Sequence, residues 1–436
     1  MSSEAFNSTT IDQLAKQSKE PAWLTDLRRQ ALAKHAELPW PHPSDDVWRR
    51  TDVALLDPMR GFSPVDAPLL QTIPLGESHF ASLTQPLGDE QLFVRANGSW
   101  VTDARAQGIT VEDLTQAVRT SPEPIRRILE ADGMSEAEQK LTSLNAAFHH
   151  DDLVVQVPTR FSGGRPIRLV HLFSVSSKRA IFPTTIVTVG AGSVVTLIDE
   201  YVSIDPAQGD APHLINARIE LVLEPDATVH YVRLQRWDRR AREFLLQRAT
   251  LAKNSTLTMA NINLGAALSK AHVSTRLTGE RASTRLYGFV FGHGMQHIDQ
   301  HTLQDHTAPH TTSDLQFKAA LQDQSRMIYT GLIRIAKQAK QTEAYQANHN
   351  LLLSNEAKAE TIPMLEILAD DVQCKHGASI GPIDDEQTFY LMSRGVPREA
   401  AQRLIVMGFI EPIIQQVPFA PLQERLRQEI EGSLHH

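Results

Sequence analysis

Two groups of side chains have the types and spacing to do metal or thiol chemistry. The first is Asp371-Val372-Gln373-Cys374-Lys375-His376-Gly377. In an extended backbone successive side chains alternate, so the Cys374 thiol and the His376 imidazole point to the same side. Lys375 between them could depress the thiol pKa and favour the thiolate, the form that binds soft metals. The alternative is an inert buried cysteine beside a histidine packed at a junction. Ligand arithmetic limits the pair: an iron–sulfur cluster commonly takes about four protein ligands, mostly cysteines. One thiol and one imidazole leave that shell incomplete, so a cluster here needs ligands from another chain or a cofactor. The second group is His293, His297, His301, His306 and His310. Their spacing puts the first three on one face of a strand or of a helix, where neutral imidazoles could bind a transition metal. The Gln and Thr residues between them equally suit a hydrogen-bonded strand in which the histidines merely pack.

Other chemistries find no support. The sequence has no GxxxxGK[ST], so no P-loop of its own with which to hydrolyse ATP, and neither HExxH nor GxSxG. Gly190-Ala-Gly192 lacks the third glycine of a dinucleotide fingerprint. The 436 residues are 41% hydrophobic and 22% charged, an ordinary globular mix of a few structural units. A formal charge of −8 argues against nucleic acid as the main partner. The single cysteine excludes an internal disulfide and an all-cysteine metal site. No run approaches the ~18 apolar residues of a membrane span. The N-terminus lacks the layout of a secretory signal. These features predict a soluble, acidic, cytoplasmic protein.

The elements that must position the two groups fall into three zones. Residues 1–150 read as mostly helical. Trp23, Leu24, Leu27, Ala31, Leu32 and Ala36 recur at helical spacing, and residues 42–108 read as loops and short strands. Val111–Val118, Pro124–Leu129 and Ser135–Phe148 follow as helices, the last behind a capping box opened by Ser135. Residues 381–436 are also expected to be helical. Asp384 caps a helix with Phe389, Tyr390 and Leu391 on its apolar face, and Gly395 ends it. Pro397 starts a second, whose stripe is Ala401, Leu404, Ile405, Gly408 and Phe409 and which Pro412 ends. Leu422–Ile430 forms a third. Such helices are placed to cap an open end of the array between them.

The middle zone, 151–380, reads as strands: Leu153–Val157, Ile167–Val175, Thr184–Val189 and Ile219–Leu223. A unit of turn residue, small residue and alternating apolar run recurs. Its small residues are Ser193, Ala227, Ser255, Ala282 and Ser325, at spacings of 34, 28, 27 and 43. An irregular period of this length suits a β-solenoid, and a β-sandwich with similar turns equally.

A longer pattern then stands out. Cys374-Lys-His376-Gly377-Ala-Ser-Ile-Gly381-Pro-Ile-Asp384, followed by Phe389-Tyr390-Leu391-Met-Ser-Arg394-Gly395, resembles the C-terminal signature of the SufB/SufD family of iron–sulfur cluster assembly proteins. Asp305-His306, Tyr329-Thr330-Gly331, Gln346-x-Asn348-x-Asn350 and Glu366-Ile367-x-Ala369-Asp370-Asp371 match it too, and the likeness covers about 140–415 well. With one cysteine the chain looks more like SufD than SufB. It departs from the family pattern at Lys375, Ser379 and Met392, where serine, threonine and arginine are usual.

The resemblance implies a right-handed parallel β-helix between helical N- and C-terminal regions. It further implies a non-catalytic scaffold subunit that works with a SufB-like subunit and a SufC-like ABC-type ATPase. The ATPase would dock on the C-terminal helices, which maps to Phe389, Tyr390, Leu391, Arg394, Gly395, Leu404 and Phe409. His376, with Cys374 beside it, would serve cluster assembly at an interface shared with the SufB-like chain. The cluster would be transient, with no cofactor held stably by this chain alone and a flavin left open. Two rivals remain at this point: a β-helix carbohydrate-active or metal-dependent enzyme using the 293–310 histidines, and a homodimer formed through the same core edge.

Overall fold

The turn–small–apolar unit is the device that winds the chain. Gly192, Asp226, Asn254, Arg281, His310 and Gln341 all take left-handed backbone angles, with φ between 56° and 67°. Each precedes a fully buried small residue, Ser193, Ala227, Ser255, Ala282, Thr311 or Thr342. A left-handed residue reverses the chain within one step, and the small residue lets the next strand sit directly on the one before. The strands at these turns (Val194–Ser203, Thr228–Arg236, Thr256–Asn263, Ser283–Gly292, Thr312–Leu321 and Thr342–Leu352) and a last one, Val372–Pro382, which lacks such a turn, pair in parallel. Their partners are offset by 34, 28, 27, 29, 31 and 30 residues.

Alternating with them, Thr184–Val189, His213–Leu223, Ala241–Leu251, Leu268–Leu277, His297–His306, Arg326–Ile335 and Lys358–Ile367 build a second parallel stack. The result is the expected parallel β-solenoid, about seven turns long. The structure describes residues 5–45, 47–64, 83–102, 108–131, 135–175, 178–204 and 211–434. The loops and short strands expected over 42–108 therefore lie partly outside the described residues. One detail of the repeat is corrected: Ser325 precedes Arg326–Ile335 in the second sheet, and the true successor of Ala282 is Thr311. The step of 43 was a crossing from one sheet to the other.

Inner faces of both sheets interdigitate in one long core, from Leu169 and Val187 through Leu245 and Leu286 to Phe317 and Tyr329. Helices cover the outer faces. On the N-terminal side these are α1 (Ser8–Ser18), α2 (Ala22–Glu37), α3 (Leu114–Thr120), α4 (Pro122–Leu129) and α5 (Glu136–Phe148). The Ser135 capping box is present, with Ser135 and Glu138 each accepting from the other's backbone N–H. Two expectations change here. Helix α1 was not anticipated, and Val111–Val118 opens as a strand, Thr110–Asp113, before α3 begins.

Beyond the solenoid follow α6 (Asp385–Ser393), α7 (Arg398–Ile414) and α8 (Ala420–Ser433). Asp384 Oδ1 accepts from Glu386 N at 2.8 Å, and Gly395 is left-handed at φ +87°. Helix α7 runs through Pro412 to Ile414, and its buried stripe is Ala401, Val406, Ile410, Ile413 and Ile414, with Leu404 exposed. Proline near a helix C-terminus forfeits only a bond of the last turns, so it did not stop this helix. The helices do not cap the end of the array. Val406, Ile410, Leu422 and Leu426 pack on Ile198, Val232, Ile262 and Phe289, along the side of the first sheet.

A buried ion network fixes that contact. Glu200, fully buried, accepts from Arg168 Nε (2.7 Å), Arg236 Nη1 (2.7 Å) and Arg425 Nη2 (2.5 Å), and Arg236 also bridges to Glu429 at 2.8 Å. Burial alone would raise the Glu200 pKa, but Arg236, Arg425 and Arg168 hold it far below the usual carboxylate range. Removing one partner of such a network strands buried charge. Glu200→Gln is expected to lower stability by about 3 kcal/mol, read as a shift in the denaturant midpoint with unchanged slope.

Candidate functional site

Val372–Pro382 ends the first sheet and Lys358–Ile367 ends the second, so the last turn leaves both edges open. Around it Leu365, Ile367, Leu368 and Ile380 are exposed. Pro363 sits in the second of these edges, where a missing N–H removes a donor from the free side. Cys374 pairs with Ala344 and His376 with Gln346, on the inward face of the strand. The thiol packs half-buried near Ala344, Ile333 and Ile335, while His376 is exposed at the open end. The two side chains thus share one face, as the alternation required. Lys375 does not act as expected. It points outward to an open groove of about 420 Å³ with Arg285, Asp314, Glu343 and Tyr345, and burial pushes the Cys374 thiol up instead.

Directly beneath lies a layer of amides. Asn350 Nδ2 donates to Asn348 Oδ1 (2.7 Å) and Thr361 Oγ1 (3.0 Å), Thr361 Oγ1 donates to Asn348 Oδ1 (2.6 Å), and Asn348 Nδ2 donates to Phe317 O (3.3 Å). Gln346 Nε2 donates to Gly331 O at 3.3 Å. Thr361 was missed in the sequence because it comes from the opposite sheet; only the winding brings it there.

The C-terminal helices present a second surface. Phe389, Tyr390 and Leu404 are exposed, by 72%, 58% and 56%, and Leu391 is half-buried. Arg394 and Gly395 are exposed beside them, the Arg394 guanidinium 5.3 Å from the Tyr390 ring centre. Phe409 stands apart from this group: it packs toward the solenoid, with Lys318 Nζ 4.8 Å from its ring centre and donating to its carbonyl at 2.7 Å.

With this geometry in view, the SufBD core domain of SUF-system FeS cluster assembly matches residues 172–409, more than half of the sequence. The chain belongs to the SufBD family. Its similarity to iron–sulfur cluster assembly SufBD family proteins of Staphylococcus epidermidis and Staphylococcus haemolyticus is 24% identity over 454 aligned positions. A Staphylococcus aureus relative is equally similar, and in each case 99% of this chain and 95% of the relative are covered. The SufBD chain is thus an iron–sulfur cluster assembly protein of the SUF system.

The other histidines of this SufBD protein do not form one site. His293 and His310 lie in turns, His310 with φ +59°. His297 and His301 face outward under the N-terminal region, His297 Nε2 3.1 Å from Thr51 Oγ1 and His301 edge-on to His272 at 4.9 Å. His306 faces inward and is fully buried, its Nδ1 2.8 Å from Thr311 Oγ1 and its Nε2 2.9 Å from Ser313 Oγ. Among the described residues no group of three or more His, Cys, Asp or Glu could hold a metal ion. Of the three histidines expected on one face, His297 and His301 do share it, whereas His293 lies before the strand begins and drops out of the set.

Burial pulls the His306 pKa from 6.5 to about 4. The unfolded chain therefore takes up this proton below 6.5 while the folded chain resists until about 4, so acidification across that window favours unfolding. The single group accounts for about 3 kcal/mol of stability lost between pH 7 and 4. In His306→Gln the drop in unfolding free energy over that range is expected to shrink by this amount, as measured by denaturation at each pH.

Proposed function

We propose that this SufBD protein is a SufD-like, non-catalytic scaffold subunit, which builds iron–sulfur clusters together with a SufB-like chain and a SufC-like ABC-type ATPase. One observation carries the reading. The single thiol and a solvent-facing imidazole share the inward face of a terminal strand with one free edge, an incomplete ligand set where another chain could add. A second polypeptide adding strands there would satisfy the free backbone groups, cover Leu365, Ile367 and Ile380, and supply the missing ligands. His376 and Cys374 are then the contribution of this chain, and iron and sulfide are substrates rather than a resident cofactor. A homodimer of the isolated chain would use the same edge.

The exposed Phe389, Tyr390 and Leu404, with Leu391, Arg394 and Gly395 around them, supply an aromatic anchor for the ATPase. Phe409, turned toward the solenoid, would hold α7 in place rather than touch that partner. ATP-driven movement of the ATPase would pull on α6 and α7 and so change the contact at the shared edge. No described helix is long and apolar enough to cross a membrane, in keeping with work in the cytoplasm.

His376→Ala is expected to leave the three-part complex intact on size exclusion but to cut cluster formation strongly in reconstitution; an unchanged yield would refute its role. Phe389→Ala with Tyr390→Ala should weaken ATPase binding by about thirtyfold or more, the effect of losing an anchor worth about 2 kcal/mol. Titration calorimetry checks this, with the SufB-like contact unaffected.

A further inference from the structure

The amide layer beneath the site contains two buried acceptors without a partner, Gln346 Oε1 and Asn350 Oδ1. An unsatisfied buried amide oxygen costs about 1–3 kcal/mol, and leucine would fill the same space without that cost. The fold instead makes room for Gln346: a Cβ on Gly331 would lie 2.3 Å from Gln346 Nε2, and the Gly331 carbonyl receives that nitrogen. Oε1 lies 2.6 Å from the same Cβ position and, unlike Nε2, has no partner. Gln346 is also the register neighbour of His376 on the adjacent strand, with both side chains on the inward face. Neighbouring strands lie about 4.8 Å apart, within reach of a hydrogen bond between the two side chains once the imidazole is covered.

We infer that Gln346 is the positioning residue for His376, and this rests on the reading above. When a partner closes the open end, Gln346 Oε1 accepts from one ring N–H of His376. That bond fixes the tautomer, leaves the other ring nitrogen unprotonated toward incoming iron, and makes it a better donor. The orphan oxygen of the isolated chain is thus a preformed acceptor whose donor arrives on assembly. Asn348, Asn350 and Thr361 brace the strand that carries it, and the Gln346-x-Asn348-x-Asn350 spacing follows from three inward positions on one strand.

The test uses the complete complex with both partners, following cluster formation as iron(II) is varied. Gln346→Met, similar in shape but without the acceptor, should need about tenfold more iron for half-maximal formation. The yield at saturating iron, the complex composition and the melting temperature should stay as in the wild type. Gln346→Glu keeps an oxygen in place and should return the iron dependence to within about threefold of the wild type. An unshifted iron dependence in Gln346→Met, a yield lowered at every iron concentration, or a Glu variant as impaired as the Met variant would each overturn the inference. His376→Ala separates the two levels. Loss of clusters there with normal iron dependence in Gln346→Met sinks the positioning role alone, whereas normal formation in both sinks the underlying reading.

Discussion

A left-handed turn residue followed by a buried small one is the constraint on which this architecture rests. At six successive turns of the first sheet the pair repeats, from Gly192-Ser193 to Gln341-Thr342. If the small side chain were large, the next strand could not lie in register and the inward face would slip outward. Register is what stacks Cys374 over Ala344 and His376 over Gln346. The chemistry at the last turn is therefore set by the geometry of turns far upstream.

Winding creates a problem at the last turn. Each turn satisfies the backbone of the turn before, so the final one has nobody to pair with. The C-terminal helices do not solve this, because Val406, Ile410 and Leu426 are committed to the flank of the first sheet and Glu200 anchors α8 there through Arg425. Helical cover on the sides with an open end is a division of labour: the sides give stability, the end stays available. A solenoid of seven turns buries enough apolar surface in its core to tolerate two uncovered edges.

Much of this was legible in the sequence. The repeat showed because a small residue and an alternating apolar run recur behind turn residues such as Gly192, Asp226 and Asn254, though the choice of a solenoid over a sandwich came from the family resemblance. Strands Leu153–Val157 and Thr184–Val189 and the Ser135 cap were readable for the same local reason. What failed was whatever depended on which sheet or flank an element joins. Ser325 fell in the wrong sheet, Leu404 went to the exposed side of α7, and His293 dropped out of the strand that carries His297 and His301. At the site, alternation placed Cys374 and His376 together, but the burial of the thiol and the outward turn of Lys375 depend on Ile333, Ile335 and Ala344, which come from other turns. Thr361 arrives from across the core, and no spacing along the chain could have announced it.

Stacked parallel turns are also the geometry of fibres, since an open turn is a template for another copy of itself. Pro363 breaks the row of donors along one of the two exposed rims, and Lys358, Glu360 and Glu366 line that rim with charge. Glu360 is moreover gripped by Arg50 of the N-terminal region at 2.7 Å, which drapes a piece of the distant end of the chain beside this rim. A proline, a row of charges and a draped segment each disfavour the endless edge-to-edge stacking latent in such a design.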